Sequence, residues 1–228
     1  MPTVWAVSDL HGAVSANSER IDQLTPPDPA DWLIVAGDVA ERTDLIIRIL
    51  RQLNDRYARV IWVPGNHELF SRSQDRYQGR EKYAHLVERC REIGVITPED
   101  PYPVFHGTTI VPLFTLYDYS FRPHGLSVDE AIEAARAKQL MMTDEFAIAP
   151  FVDVRACVGT GWPIPSSAFP EYMVLPCWLT IGRWSKSRQC YCAFLKFPCG
   201  AEPGIRGHGR GAITRSPSSM GTCICRLA

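Results

Sequence analysis

Short apolar runs, each stopped by a polar turn, organise the first third of the chain. Thr3 to Val7 is largely apolar and ends at Ser8-Asp9. Asp31 to Ala36 ends at Gly37-Asp38, and Val60 to Val63 ends at Pro64-Gly65-Asn66. Runs of this length with β-branched residues and a polar stop predict buried strands. Between the second and third, Leu45, Ile46, Ile49, Leu50 and Leu53 form an i, i+1, i+4, i+5, i+8 stripe, which predicts an amphipathic helix over residues 43–54. Strand, helix and strand at this spacing predict a right-handed βαβ unit in a largely parallel sheet, with the polar turns sharing one edge.

Residues 71–80 are polar and loop-like, Tyr83 to Ile93 has helical composition, and Thr108 to Phe114 reads as a strand despite Pro112. Val128 to Leu140 is Ala-rich and helical in composition. No internal repeat is visible. After about residue 155 the periodicity fades, and Pro, Gly, Ser, Cys and Trp accumulate without a helical or alternating pattern. The expected division is therefore a folded domain over 1–155 and a Cys/Pro/Gly-rich tail over 156–228 with no assignable fold.

Charge and cysteine sharpen that boundary. The whole chain of 228 residues carries a formal charge of −1, which conceals 22 acidic against 15 basic residues in 1–150 and 3 against 9 in 151–228. Cys90 stands alone in the first part, whereas the other seven cysteines fall after residue 156. Net charge gives no sign of a nucleic-acid surface. No stretch approaches the ~20 apolar residues of a spanning helix, and residues 1–5 lack a basic leader. A cytoplasmic protein is expected, with its oligomeric state open.

The three polar stops contain Asp9-Leu10-His11-Gly12, Gly37-Asp38-Val39-Ala40-Glu41 and Gly65-Asn66-His67-Glu68, with Asp9 and Asp38 29 positions apart and Asp38 and Asn66 28 apart. One βαβ period of this size brings such residues to the carboxyl ends of adjacent strands. Mixed carboxylate, imidazole and amide donors suit Mn²⁺, Fe or Zn²⁺ better than Ca²⁺. Asp-x-His sets two donors on one side of an extended turn, and a carboxylate at the next strand end can bridge two ions roughly 3.5–4 Å apart. Taken singly, each cluster also fits an ordinary turn with a capping Asp and a glycine. The ordered triple does not.

The ordered triple Asp-x-His, Gly-Asp, Gly-Asn-His-Glu resembles the signature of the calcineurin-like metallophosphoesterases. That resemblance implies an α/β fold of two packed mixed β-sheets flanked by helices, incomplete here at its C-terminal end. It implies two divalent metal ions, with Asp9 and His11 binding the first, Asp38 bridging and Asn66 binding the second. His67 is implied as the catalytic residue that stabilises or protonates the leaving oxygen. The implied reaction is hydrolysis of a phosphoester substrate by a metal-bridging hydroxide.

Glu41 and Glu68 fit two readings equally: orienting ligands from behind, or carboxylates favoured at a helix N-terminus. The aromatic segment 116–123 reads as packing, and His85 and His106 as helix-face and turn residues.

The family completes its sites with three later histidines, in an Asn-His and a Gly-His-x-His segment, and neither is in place here. Gly207-His208-Gly209 matches only the first two residues of the latter. Another reading frame is compatible with both. Read from the third base of Met220, the codons GGG, NAC, NTG, YAT, HTG and YCG permit Gly-His-Leu-His-Met-Pro. Read at the same offset from Pro176, the chain permits Leu-Leu-Val-Asn-His-Trp-Pro-Leu. A frameshift between residues 150 and 176 is expected, with impaired activity in this chain because the second ion loses most ligands. Cys190-Tyr191-Cys192 and Cys223-Ile224-Cys225 raise a metal or disulfide module instead, but Cys-x-Cys lacks zinc-knuckle spacing and disulfides conflict with a cytosolic address. The alternative function is a non-catalytic binding module on the same fold.

Overall fold

Three runs that alternate in which face they bury become three parallel strands. A computed structural model describes residues 1–114, 116, 119, 122–140 and 143–148, with the backbone of 173–176 and 223–227. Strand β1 (Val4–Ser8) lies beside β2 (Trp32–Ala36), and β2 beside β3 (Arg59–Val63), in the parallel registers Val4↔Trp32 and Trp32↔Arg59. Helices α1 (Ser15–Gln23) and α2 (Thr43–Asn54) form the two crossovers. The predicted βαβ unit is thus the second half of a βαβαβ run.

The alternation divides the core in two. Val7, Leu33, Val35, Val60 and Trp62 face Ile46, Leu50 and Leu53 of α2, together with Tyr83, Leu86 and Cys90 of α3 (Gly79–Glu92). Val4, Ala6, Ile34 and Ile61 face the other way, against Ile110 and Phe105. Those last two belong to a second sheet, in which β4 (Val104–Phe105) pairs antiparallel with β5 (Thr108–Leu113) and β6 (Met173–Pro176) runs parallel to β5. Strand β7 (Cys223–Leu227) adds antiparallel to the free side of β1. Helices on one face of a mixed sheet and a second mixed sheet on the other match the architecture that the motifs imply.

Several boundaries differ for physical reasons. Helix α1 escapes periodicity because only Asn17 and Ile21 of its nine residues are buried. Its C-terminal carbonyls are held instead by Arg56, whose Nη1 donates to the carbonyls of Ile21, Asp22 and Leu24 at 3.1, 3.0 and 3.0 Å. Pro112 is tolerated because β4 reaches only Thr108 and Thr109, so among the described residues no strand flanks the proline on that side. Helix α4 (Val128–Ala137) begins at a capping box between Ser127 and Glu130, and ends three residues short of its predicted limit. Most of the tail, 156–228, lies outside the described residues. Among the described residues no helix is long and apolar enough to cross a membrane.

Asp31 pins the start of β1 to the start of β2. Its Oδ1 accepts the Thr3 N–H at 2.7 Å, and its Oδ2 accepts the Trp5 indole N–H at 2.8 Å and the Asp28 N–H at 3.3 Å. Burial alone would raise this carboxyl, but the indole and backbone donors hold it below the ordinary value. A depressed folded-state pKa contributes stability that is complete above the unfolded value of about 3.9 and is lost as pH falls through the lower folded value. Asp31→Asn turns an amide donor toward one of these N–H groups, and at pH 7 should destabilise the chain by about 2–4 kcal/mol. Guanidinium unfolding from pH 7 to pH 3 should show the gap between variant and wild type closing at the acid end.

Candidate metal centre

The strand ends converge because their backbones are laced together. The Asp9 N–H donates to the Gly37 carbonyl at 3.2 Å, His11 N–H to Asp38 O at 2.8 Å, and Gly12 N–H to Val39 O at 2.8 Å. Asp9, His11 and Asp38 all have positive φ, at 56°, 40° and 56°. Left-handed backbone at non-glycine residues is held only where surroundings over-determine it, and it clusters at functional sites.

The third loop closes against the second. Gly65 approaches Asp38 so tightly that a Cβ there would lie 2.2 Å from Asp38 Oδ1 and 2.9 Å from its backbone nitrogen. The chain then makes a 3-10 turn, His67–Leu69, and the His67 N–H donates to Asp38 Oδ1 at 3.2 Å. Donor atoms of His11, Asp38 and His67 all lie within 4.8 Å of one another, and the two imidazoles meet edge to face at 4.7 Å. A carboxylate and two imidazoles at this separation fit a borderline divalent ion.

Each residue expected at the site can be placed. His11, Asp38 and His67 form the tight group. Asp9 is near enough for its charge to act on Asp38. Asn66 is buried next to His67, and its Nδ2 donates to Asp144 Oδ1 at 2.7 Å. Burial raises the Asp38 carboxyl, His67 and His11 oppose that rise, and Asp9 adds to it.

The two open glutamates now separate. Glu68 is completely buried, and its Oε2 accepts the N–H groups of Asp38 at 3.0 Å and Gly65 at 2.8 Å, while Oε1 accepts that of Val39 at 2.7 Å. It supports the ligand loops from behind. Burial and the Asp38 charge raise its pKa to about 7 against these three donors. Glu41 is exposed and stands outside any helix, with Oε1 3.5 Å from His67 Nδ1.

Two residues carried no sequence signal that singled them out. Lys82, 5% exposed, donates from Nζ to the carbonyls of Glu41, at 2.8 Å, and Phe70, tying α3 to both flanking loops. Arg80 and Glu81 precede it, so it reads as a solvated helix face. Asp144 opens a four-residue helix, α5 (Asp144–Ala147), and reads as a helix-start acid. His85 stacks on Tyr77 at 4.4 Å and His106 meets Phe105 edge-on, as packing residues. Positions 117, 118, 120 and 121, in the aromatic segment, lie outside the described residues.

The calcineurin-like phosphoesterase profile matches residues 2–154, the stretch that carries all three loops. The chain belongs to that family. It is 51% identical over 156 residues to the "[Acyl-carrier-protein] phosphodiesterase PptH" of Mycobacterium tuberculosis, an alignment that covers 65% of this chain and 48% of the relative. The crystal structure of Phosphopantetheinyl Hydrolase (PptH) from Mycobacterium tuberculosis superposes with a TM-score of 0.63 at 50% identity, over 65% of this chain and 55% of that one. The chain therefore spans about half the length of these relatives.

Gly65→Ala tests the close approach on which this candidate centre relies. The new methyl group has to displace Asp38, so stability should fall by about 1–3 kcal/mol. Mn²⁺ affinity should fall further than that of a control such as Gly107→Ala, where a Cβ meets nothing within 4 Å and the cost is backbone strain at φ 78° away from the site. Calorimetric Mn²⁺ titration and thermal melting of both variants read the two effects.

Proposed function

We propose that this chain is the metal-binding half of a divalent-metal-dependent phosphoester hydrolase. The observation that carries the reading is the convergence of His11, Asp38 and His67 donor atoms within 4.8 Å at the ends of three parallel strands. Asp9, His11 and Asp38 would hold one ion, and Asp38 with Asn66 the other, with Mn²⁺, Fe and Zn²⁺ as candidates. Bound ions supply positive charge that acidifies a water and offsets charge on the phosphoryl oxygens. Glu68 keeps Asp38 in place through the backbone of its own loop. The Glu41 carboxylate beside His67 Nδ1 leaves Nε2 to give a proton to the leaving oxygen.

The relatives named above suggest the substrate of the complete enzyme: a phosphodiester joining a phosphopantetheinyl group to a carrier protein. A cytoplasmic address fits that chemistry.

The chain as written is proposed to be impaired by a frameshift after the domain over 1–155. Two observations support this. The family match ends at residue 154, inside the interval in which the frame is expected to change. Strand β7 also runs antiparallel to β1 with Cys223 opposite Ser8, so its first residues stand at the edge that bears Asp9. The shifted frame places its Gly-His-x-His codons there.

Resequencing the codons for residues 145–180, followed by assay of the chain and of its frame-restored counterpart on an aryl phosphodiester with Mn²⁺, tests the proposal. The chain as written should show weak or no hydrolysis. The restored form should be orders of magnitude faster and should lose that rate in Asp9→Ala and Asp38→Ala. A normal rate from the chain as written overturns the impairment. Mn²⁺ binding that survives both substitutions overturns the metal reading and leaves a binding module.

A further inference from the structure

Asn66 poses a problem that its neighbours have to solve. A side-chain amide presents an oxygen that can ligate a cation and an NH₂ that cannot, on ends of nearly equal shape. A rotation of 180° about its last bond exchanges them. Something has to choose the end that faces the ions.

We infer that Asp144 is a positioning residue of the metal centre, whose carboxylate holds the Asn66 NH₂ away from the ions so that Oδ1 faces them. The inference rests on the metal reading above and extends it to a residue 78 positions further along the chain. An ionised carboxylate only accepts hydrogen bonds, so it can pair with Nδ2 and repels Oδ1. The contact is short, at 2.7 Å, and both partners are at least nine-tenths buried, with Asp144 7% and Asn66 8% exposed. Water therefore competes little with it.

A hydrogen bond that served packing alone would satisfy both carboxylate oxygens. Asp144 Oδ2 is buried and has no hydrogen-bond partner among the described residues. An orphan carboxylate oxygen is costly in an apolar interior and much less so beside cations. The helical turn that carries it is fastened to the third loop, because the Ser71 N–H donates to the Ala147 carbonyl at 2.8 Å and Ile148 is 1% exposed in the helix-side core. The carboxylate thus meets Asn66 from a fixed platform.

The test uses Mn²⁺ and the frame-restored full chain, in which the ion next to Asn66 regains its other ligands. Calorimetric titration compares wild type with Asp144→Leu, Asp144→Asn, Asn66→Ala, Asp38→Ala and the Asn66→Ala/Asp144→Leu double variant, and melting in chelator reports each metal-free fold. Asp144→Leu should weaken Mn²⁺ binding about 10–100-fold, the usual consequence of removing a group that orients a ligand. Its metal-free melting point should not fall. Asp144→Asn keeps an acceptor oxygen and should recover most of the affinity. The double variant should bind no more weakly than Asn66→Ala, because Asp144 acts through Asn66 alone.

Wild-type affinity in Asp144→Leu overturns the inference, as does a further loss in the double variant. Asp144→Ala carries the same comparison if the leucine variant does not fold. Asp38→Ala separates the two levels of argument: if it binds Mn²⁺ as wild type does, the metal reading itself fails. If it loses binding while Asp144→Leu and Asp144→Ala do not, only the positioning role fails.

Discussion

One buried carboxylate holds the working edge of this molecule together. Loops that leave parallel strands carry backbone N–H groups with no strand to receive them, and burying such donors unpaired costs about as much as a lost hydrogen bond each. Glu68 receives three of them, two from the second loop and one from the third. Without it Asp38 and Gly65 would each need a new acceptor in a space from which water is excluded. The close approach of Gly65 to Asp38, the left-handed backbone of Asp38 and the contact from His67 N–H to Asp38 Oδ1 follow from that clamp. Lys82 repeats the device with opposite polarity, giving its protons to carbonyls on the outer flanks of the same two loops.

The clamp works because the strands beneath it are already fixed. β1, β2 and β3 bury side chains on both faces, so a shift of register by one residue would exchange the helix-side and sheet-side sets throughout. The three loops then emerge at one height, and the lacing of Asp9, His11 and Gly12 onto the second loop needs no adjustment of the sheet. Stability and function divide along the strand axis. Asp31 ties the amino ends of β1 and β2, and the candidate metal ligands occupy the carboxyl ends.

Legibility in the sequence follows the same division. Strands buried on both faces and a helix with a strong stripe declare themselves by pattern alone, so β2 and α2 fall almost where the residues place them. The ligand triple is legible because its chemistry is local, with each residue in a turn that ends a recognisable strand. Helix α1 is not legible, since a tertiary contact from Arg56 replaces the apolar face that periodicity detects. Glu68 is ambiguous in sequence because a carboxylate behind a ligand loop and one at a helix start look alike until burial is known. Asp144 and Lys82 are silent for a related reason: each acts on residues tens of positions away, and a single sequence carries no sign of that pairing.

The electrostatics of the centre argue for cations more strongly than its geometry alone. Asp38, Glu68 and Asp144 are all raised by burial, and for Glu68 and Asp144 the charge of Asp38 raises them further. Carboxylates gathered out of water in this way disfavour their own ionisation unless positive charge accompanies them. Lys82, whose charge acts on Glu68 and Glu41, spends its hydrogen bonds on carbonyls, and two imidazoles are weak compensation for these acids. A divalent ion held by Asp9, His11 and Asp38, as proposed above, would relieve that repulsion at its source. Its binding energy would then also be folding energy for the loops that hold it.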